Sequence, residues 1–390
     1  MPPRVAIMPP VPAPYREPLF RALAGRGRVR PHVLYLTASQ PGWDQPHGWF
    51  GAGEGYASEI LGAWQRARPG RSPLMLPRGI GAALARLDPA CVVSWEYGPA
   101  TWAALAWCRR RGRPLVIFSE LTQWSHAELS AGRRRVHRLL VPRAAGFIVA
   151  STQGVARLVV LGVPRERVEV ALQSADLEPL RRLARERRER GAPVRVLALG
   201  RLVPDKNLAT LVEAFAEAGF RPGEVELELR GTGPLEGELR ERALALGVPV
   251  ALPGPAAPAE LPAIYAAADV LALVSTYEPF GVAAREAAAA GLALICSERA
   301  GAAGDVAVED ENALIVDPQS REQIAAALRR LVREPELRER LAAGSRAVTE
   351  RHPPEADAEA WERALLRACA QPSSAGRSSR STVRSSSAGE

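Results

Sequence analysis

The sequence STYEPFGVAAREAAAAG, residues 275–291, follows the apolar run ADVLALV, residues 268–274, and together they indicate how the chain folds. An apolar run, a turn at Pro279 and Gly281, and an Ala-rich segment are typical of a strand, a loop and a helix. In an open parallel sheet such a turn lies outside the carboxyl end of a strand, where ligands bind. We therefore expect a binding site at this turn.

The residues around the turn predict what kind of ligand binds there. Backbone N–H groups near Phe280, Gly281 and Val282, together with the helix dipole, would suit a phosphate. Glu278 and Glu286 flank the turn, and at about 1.5 Å per residue they lie up to roughly 12 Å apart. An acid and a base acting on one bond need roughly 5 to 9.5 Å, so these carboxylates favour two contacts along a long ligand. The alternative is a solvated helix after an ordinary turn.

Apolar runs alternate with helical patterns along most of the chain, which is typical of an α/β protein with parallel sheets wrapped by helices. The charged run LEPLRRLARERRERG, residues 177–191, interrupts this alternation and indicates a linker between two domains. A length of 390 residues fits two domains with substantial cores. The predicted divisions are a first domain at 1–180, a linker at 181–192, a second domain at 193–355, a helix at 356–370 and a disordered tail at 371–390.

One segment of the first domain lacks a clear pattern. Residues 39–75 are rich in Gly, Trp and Pro, which predicts a long loop. Its tryptophans argue against disorder.

The chain is basic, with 51 Lys and Arg residues against 43 Asp and Glu and a net charge of +8. Lys206 is the single lysine, and the arginine bias resembles that of a GC-rich coding sequence. The charge permits anionic partners such as phosphates and membrane headgroups. Nucleic acid is not an expected partner, because the sequence has no recognition motif and no basic stripe interleaved with aromatic residues.

The cysteines and the apolar segments predict a cytoplasmic protein. Cys91, Cys108, Cys296 and Cys369 are widely spaced and are expected to be reduced. The start MPPRVAIMPP has only a short apolar run broken by prolines, so we expect no signal peptide. No stretch reaches 18 uncharged apolar residues, so no membrane span is expected either.

Two further loops after predicted strands carry groups that suit a phosphate. Gly200, Arg201 and Lys206 lie in GRLVPDKNL, residues 200–208, and two cations on one loop can converge on a diphosphate. RGTGP, residues 230–234, is a second glycine-rich strand end. Either segment alone could be a solvated loop. Three strand ends of one sheet that all carry glycines, cations or carboxylates are harder to obtain by chance than any one of these segments.

These segments in this order resemble the donor-binding half of the retaining glycosyltransferases of family 4, which have the GT-B fold of two facing Rossmann-like, doubly wound domains. The matching segments are GRLVPDKNL, RGTGP, ALPGPAAPAELPAIYAAADVLALVS and EPFGVAARE. The first domain resembles the family in its alternation of strands and helices and in GFIVASTQGVARLVVLGVPRERVEV, residues 146–170.

The resemblance implies a role for each matching residue. Arg201 and Lys206 would neutralise the donor diphosphate, Glu286 would bind the nucleotide ribose, and Glu278 would hold the transferred sugar. The implied catalytic residues are Arg201, Lys206 and Glu278, and the implied donor-binding residues are Gly200, Arg201, Lys206, Gly231, Gly233, Phe280, Gly281, Val282 and Glu286. The C-terminal helix around Trp361 would cross back onto the first domain. No metal or other cofactor is expected besides the nucleotide-diphosphate sugar, which is a co-substrate.

The first domain departs from the family pattern. A Gly-rich loop often follows the first strand, whereas this chain has PPVPAPYREP, residues 9–18. The family often has a His at the end of the strand that reads PLVIFSE here, and this chain offers Ser119 and Glu120. His126 follows six residues later and could substitute, although a lone loop His is more often a bystander. The predicted acceptor-side residues are Tyr15, Arg16, Glu120 and His126.

The expected function is the retaining transfer of a sugar from a nucleotide-diphosphate sugar to a glycan, a lipid-linked acceptor or a small molecule. The alternatives are a GT-B nucleotide-sugar epimerase and a non-catalytic protein that binds sugar nucleotides. The basic segments RRRGR, residues 109–113, and RRRVHRLLVPR, residues 133–143, predict peripheral contact with the inner face of an anionic membrane. The alternative is a solvated face in an Arg-biased sequence.

Overall fold

The structure is a computed structural model that describes residues 1–39, 53, 55–68, 71–127, 129–186 and 193–371. In these ranges the strands are β1 (Arg4–Met8), β2 (Arg30–Tyr35), β3 (Ala57–Ile60), β4 (Ala63–Arg68), β5 (Arg71–Pro77), β6 (Cys91–Trp95), β7 (Leu115–Ser119), β8 (Gly146–Val149), β9 (Val168–Val170), β10 (Val194–Leu199), β11 (Val225–Arg230), β12 (Val250–Gly254), β13 (Val270–Leu273), β14 (Ala293–Ser297) and β15 (Ala313–Val316).

Helices connect and cover these strands. They are α1 (Glu17–Gly25), α2 (Ile80–Leu87), α3 (Pro99–Arg111), α4 (Gln123–Ala127), α5 (Ala131–Leu140), α6 (Thr152–Val160), α7 (Glu178–Glu186), α8 (Leu208–Glu217), α9 (Glu236–Leu246), α10 (Leu261–Ala267), α11 (Val282–Ala289), α12 (Arg321–Arg333), α13 (Pro335–Arg351) and α14 (Pro354–Ala370). Among the helices described, none combines the length and apolarity that a membrane crossing requires.

The described strands form two parallel sheets and one hairpin. The first sheet has the order β3-β2-β1-β6-β7-β8-β9, and the second has the order β12-β11-β10-β13-β14-β15. In each sheet the strands are added first towards one edge and then towards the other. This strand order reverses between β1 and β6 in the first sheet and between β10 and β13 in the second. Ligands bind beyond the carboxyl ends of the strands at such points. The predicted α/β fold with two doubly wound Rossmann-like domains is confirmed.

The central strands are apolar because helices cover both faces of each sheet. Every residue of β6, β7 and β14 is buried. Strands buried on both faces read as continuous apolar runs, and this is why the sequence predicted them.

The predicted long loop at 39–75 was wrong for its second half. Strand β3 pairs in parallel with β2 at the edge of the first sheet, and β4 and β5 form an antiparallel hairpin. The β3 sequence ASEI is half exposed and β4 reads AWQRAR, so neither strand contains an apolar run. Residues 40–52 of the predicted loop lie outside the described residues.

Part of the predicted linker is helical. Helix α7 runs from Glu178 to Glu186 and packs against α10 and α11 of the second sheet's domain. Leu180 provides a buried contact on this helix. Residues 187–192 of the predicted linker, and 372–390 of the predicted tail, lie outside the described residues.

The last helix returns to the first domain, as predicted. Helix α14 packs against α1 and against β6, β7, β8 and β9. Its Trp361 is 1% exposed, and the ring centroid lies 5.9 Å from that of Trp95, 5.5 Å from that of Phe118 and 6.5 Å from that of Phe20. Trp361 therefore anchors the C-terminal helix in the core of the first domain.

A buried ion pair joins both chain crossings between the domains. The guanidinium of Arg285, on α11, donates to the Asp357 carboxylate at 2.7 Å, to the Gln173 carbonyl at 2.7 Å and to the His352 carbonyl at 3.1 Å. Asp357 also accepts from the backbone N–H of Leu172 at 2.8 Å. Residues 172 and 173 belong to the first crossing, and residues 352 and 357 belong to the second.

We expect Trp361→Ala to lower the free energy of unfolding by about 3–5 kcal/mol, because it removes a large buried side chain from a packed core. Chemical denaturation measures the change. The matched control is Trp102→Ala, since Trp102 is 38% exposed on α3 and its loss should change stability by about 0.5 kcal/mol or less. Equal losses for the two variants would contradict the anchoring role of Trp361.

Candidate functional site

A cleft lies between the carboxyl edges of the two sheets, with a volume of about 310 Å³. Residues of both domains line it, including Tyr15, Glu120, Gly200, Arg201, Lys206, Gly231, Glu278, Phe280, Gly281, Val282 and Glu286. A larger cavity of about 570 Å³ lies over the first residues of β10, β11 and β12. That cavity is away from the carboxyl edge, so the smaller interdomain cleft is the candidate site.

Two glycines bring the loops after β10 and β11 into backbone contact. Gly200 and Gly231 have φ angles of 149° and 150°. A Cβ added to Gly231 would lie 1.8 Å from the Gly200 carbonyl oxygen. Gly233 lies behind this contact, where an added Cβ would be 2.3 Å from the Leu202 carbonyl oxygen, and it is not among the lining residues. Larger residues would push these loops apart.

The turn before α11 also depends on glycine. Gly281 precedes the helix with a φ of 98°, and a Cβ there would lie 2.7 Å from Leu273 Cδ2. The first backbone N–H groups of a helix have no partner within the helix. Val282 and Ala283, which open α11, both line the cleft. The start of this helix therefore faces the cleft, at the position where the sequence predicted an anion-binding site.

Lys206 and Glu278 form a direct ion pair across the floor of the cleft. The Lys206 ammonium donates to the Glu278 carboxylate. Asn207 fixes the lysine loop, because its side-chain amide donates to the Val274 carbonyl at 3.1 Å and the Pro318 carbonyl at 2.7 Å. The two groups that were predicted to contact different parts of a ligand thus neutralise each other.

Glu286 is a half-buried carboxyl on α11, beyond the turn. Burial raises its pKa to about 7, although a hydrogen bond from the Tyr265 hydroxyl, at 2.7 Å, opposes the shift. The buried Tyr265 has a raised pKa, caused by burial and by the nearby carboxyl. A fraction of Glu286 therefore remains protonated near neutral pH.

The first domain contributes a fixed carboxylate. Glu120 lines the cleft and accepts a hydrogen bond from Arg16 Nη2 at 3.1 Å. Arg16 is 6% exposed and its guanidinium lies 4.7 Å from the Trp95 ring centroid and 5.1 Å from that of Tyr15. Tyr15 lines the cleft, whereas Arg16 lies behind it. Of the predicted acceptor-side residues, Arg16 thus acts on Glu120 rather than on the cleft itself.

His126 belongs to α4, and its side chain lies outside the described residues. Sequence reasoning missed Arg230, Gln173 and Tyr265. Arg230 and Gln173 line the cleft, and Tyr265 supports Glu286 from α10. Arg230 directly precedes the glycines of RGTGP and could have been found there, but Gln173 and Tyr265 stand in segments without a motif. No group of His, Cys, Asp or Glu side chains within the described ranges has the arrangement of a metal site.

Comparisons with known proteins match both halves of the chain. Residues 18–178 match the family model Glycosyltransferase Family 4, and residues 181–348 match the model Glycosyl transferases group 1. Mannosylfructose-phosphate synthase of Agrobacterium fabrum is 30% identical over 224 residues, which cover 52% of this chain and 48% of the relative. D-inositol 3-phosphate glycosyltransferase of Corynebacterium glutamicum is 33% identical over 183 residues, 43% of this chain and 44% of the relative. The matched region spans about half the length of these curated relatives.

A solved structure extends the fold comparison over nearly the whole chain. HepE of Anabaena, crystallised in complex with UDP, superposes with a TM-score of 0.70 at 18% identity and covers 94% of this chain and 99% of its own. At this identity the likeness concerns the fold. With both family models matched in order and the two-sheet architecture shared, the chain belongs to glycosyltransferase family 4 and has the GT-B fold.

Proposed function

We propose that the protein is a retaining glycosyltransferase that moves a sugar from a nucleotide-diphosphate sugar to an acceptor hydroxyl. The observation that carries the proposal is the lining of one interdomain cleft by Lys206, Arg201, Glu278 and Glu286, which come from two loops and one helix of the second domain. These residues are far apart in the sequence. Chance surface charges would not converge on one cavity at the carboxyl edge of a sheet.

In this proposal the donor lies along the second sheet. Arg201 and Lys206 neutralise the diphosphate, together with the N–H groups at the start of α11. Glu286 binds the ribose, and Glu278 binds the transferred sugar with the backbone of Phe280 and Gly281. Similarity to a fold relative solved with UDP supports a nucleoside diphosphate as the leaving group.

The reaction we propose proceeds by attack on the face that the leaving group occupies. The bond from the anomeric carbon to the diphosphate breaks, and the acceptor oxygen bonds to the same face of that carbon. The acceptor proton passes to the leaving phosphate oxygen. Cations that already face the diphosphate stabilise the charge that develops on it. The proposed reaction involves neither a metal nor a further cofactor.

The acceptor enters from the first domain, beside Tyr15 and Glu120. Arg16 fixes the Glu120 carboxylate, and the α4 segment with His126 follows β7 on the same side. One curated relative is named for the product mannosylfructose phosphate, and another is named for D-inositol 3-phosphate. A small hydroxylated acceptor, a glycan and a lipid-linked acceptor all fit this proposal.

The test combines binding and turnover. Thermal-shift screening against UDP, GDP and ADP should identify a stabilising nucleotide, since a ligand that binds only the folded state raises its stability. Release of that nucleotide from its sugar conjugates is then measured with panels of sugars, inositols and lipid extracts. Transfer with the donor's anomeric configuration supports the proposal. An epimerised sugar nucleotide without any transfer product would favour an epimerase, and binding without turnover would favour a non-catalytic protein.

We expect Lys206→Ala to lower turnover by about a hundredfold or more, because a cation facing the leaving diphosphate is lost. Steady-state release of the nucleoside diphosphate measures the change. Turnover near that of the parent in Lys206→Ala would contradict the placement of the donor diphosphate at this loop.

Replacing Glu286 should raise the stability of the fold at high pH but weaken nucleotide binding. Burial raises its pKa from an ordinary 4.5 to about 7, so its ionisation destabilises the fold fully above pH 7 and not at all below pH 4.5. Glu286→Gln should therefore stabilise the protein at pH 8, by up to about 3 kcal/mol, and leave stability at pH 4 unchanged. Denaturation at the two pH values measures this.

Removal of the Glu286 carboxylate should weaken nucleotide binding. Glu286→Ala should lose about 1.5–3 kcal/mol of affinity for the nucleoside diphosphate in calorimetry, because a charge-assisted hydrogen bond to the ribose is removed. Glu278→Ala serves as the comparison and should lose mainly sugar transfer. Parent-like nucleotide binding and transfer in both variants would contradict the two-contact model of the turn.

We further propose that the enzyme works in the cytoplasm and contacts the inner face of an anionic membrane through the first domain. Arg133, Arg135 and Leu139 are exposed on α5, and Leu139 is 43% exposed. Leu140 is buried, so the apolar side of this helix packs mainly inwards. The exposed residues Arg109–Arg111 of α3 add a second cationic cluster.

Sedimentation with anionic vesicles at low and high salt tests this contact. Each basic residue near such a surface contributes roughly 1 kcal/mol, and salt screens the attraction. We expect binding at low salt that neutralising Arg133, Arg134 and Arg135 weakens. Neutralising Arg329, Arg330 and Arg333 on α12 of the second domain is the matched control. A protein that stays in the supernatant at low salt would refute membrane contact and favour a soluble acceptor.

A further inference from the structure

Glu96 is a residue of the first domain that belongs to none of the sequence motifs and has no role in the proposed donor chemistry. It directly follows β6, the strand beside the point where the first sheet reverses its order. Its φ angle is 56°, which a residue with a long side chain rarely adopts. Strained backbone of this kind persists only where the surroundings fix it, and it concentrates at functional sites.

Four hydrogen bonds fix Glu96 in this conformation. Its backbone N–H donates to the Phe118 carbonyl at 2.8 Å, and its own carbonyl accepts from the Thr101 hydroxyl at 2.7 Å. Its carboxylate accepts from the Ser119 hydroxyl at 2.9 Å and from the backbone N–H of Glu120 at 2.6 Å. The strained backbone thus directs the carboxylate onto the residues that end β7.

The next charged group along this network faces the cleft. The backbone of Glu120 is held by Glu96, and its carboxylate is held by Arg16 at 3.1 Å. Glu96 and Arg16, which follow neighbouring strands, therefore fix Glu120 at both its main chain and its side chain. A group that is fixed in this way loses little conformational entropy when it binds a partner.

The electrostatics agree with this geometry. Burial is the largest effect on Glu96 and raises its pKa to about 7. The hydrogen bond from the Glu120 amide, the Arg157 charge and the Ser119 hydroxyl lower this pKa, whereas the Glu120 carboxylate raises it further. Across the cleft, Tyr277 has a pKa raised by burial and, to a lesser degree, by Glu96, Glu120 and Glu278. Glu96 and Glu120 thus act electrostatically on the residue that precedes Glu278.

We propose that Glu96 is a positioning residue of the acceptor side, which holds the Glu120 amide so that the Glu120 carboxylate meets the acceptor hydroxyl beside Glu278. This inference rests on the proposed transferase function. Glu96 itself does not touch the acceptor. The two hydrogen bonds to its carboxyl, rather than its charge, do the positioning, because a neutral carboxyl can still accept from the amide and donate to Ser119.

Two variants separate hydrogen bonding from charge. Glu96→Gln keeps an oxygen that accepts from the Glu120 amide and an N–H₂ group that donates to Ser119. Glu96→Ala removes both contacts, and Ser119→Ala removes one, which provides a milder variant should Glu96→Ala fold poorly. Glu166→Ala is the matched control, because Glu166 is exposed in the same domain.

Hydrogen exchange tests the positioning without any need for turnover. In the full-length protein, exchange at the Glu120 amide should become at least about tenfold faster in Glu96→Ala, less so in Ser119→Ala, and stay near the parent rate in Glu96→Gln and in the control. A parent-like rate at Glu120 in both Glu96→Ala and Ser119→Ala would overturn the proposal.

Kinetics test the acceptor role. With the donor and acceptor pair that supports transfer, Glu96→Ala should lower kcat/KM for the acceptor by about tenfold or more, while Glu96→Gln stays within about threefold of the parent. Calorimetric affinity for the nucleoside diphosphate should not change in either variant. A loss of nucleotide affinity equal to the loss in acceptor kcat/KM would show a general structural role and overturn the proposal. If the parent transfers no sugar at all, the transferase function fails, and exchange at Glu120 still decides whether Glu96 positions that residue.

Discussion

Arg285 is the residue on which the relation between the two domains depends. Its guanidinium is 2% exposed and contacts both chain crossings between the domains, through Gln173 on one and through Asp357 and His352 on the other. A buried cation without partners would cost several kcal/mol, so these three contacts compensate for its burial. Arg285 also directly precedes Glu286 on α11. The same helix therefore carries the contact that fixes the domains and the carboxyl proposed to bind the nucleotide.

The two sides of the cleft are built in different ways. On the second domain, glycines let backbone segments approach each other, as at Gly200, Gly231 and Gly281, and charged side chains extend from these loops. On the first domain, side chains support other side chains, as Arg16 and Glu96 do for Glu120. A backbone-lined surface suits the diphosphate that sugar nucleotides have in common. A surface of supported side chains suits recognition of one particular acceptor.

The sequence predicted the fold and most of the second-domain residues that line the cleft, because both depend on local patterns. Strands such as β6 and β14 are continuous apolar runs, and Gly281 marks a turn that a Cβ would block. It did not predict β3, which lies at a half-exposed sheet edge and has no apolar run. It also did not predict the helical part of the charged linker. Gln173, Tyr265 and Glu96 were missed because each acts through a partner distant in sequence, so no spacing in the chain reveals it. Gly233 was predicted to bind the donor because it belongs to a motif, but it packs against the Leu202 backbone and does not line the cleft.

The ion pair between Lys206 and Glu278 gives the cleft a means of discrimination. Because each group already has an opposite charge beside it, a simple anion that drew Lys206 away from Glu278 would leave a largely buried carboxylate without a partner. Such an unpaired buried charge is strongly unfavourable. A molecule with anionic oxygens at one end and hydroxyl groups at the other can separate the pair and satisfy both members. Inorganic phosphate is too small to reach both groups at once and has no sugar hydroxyl groups to offer Glu278, so it would compete poorly for the cleft.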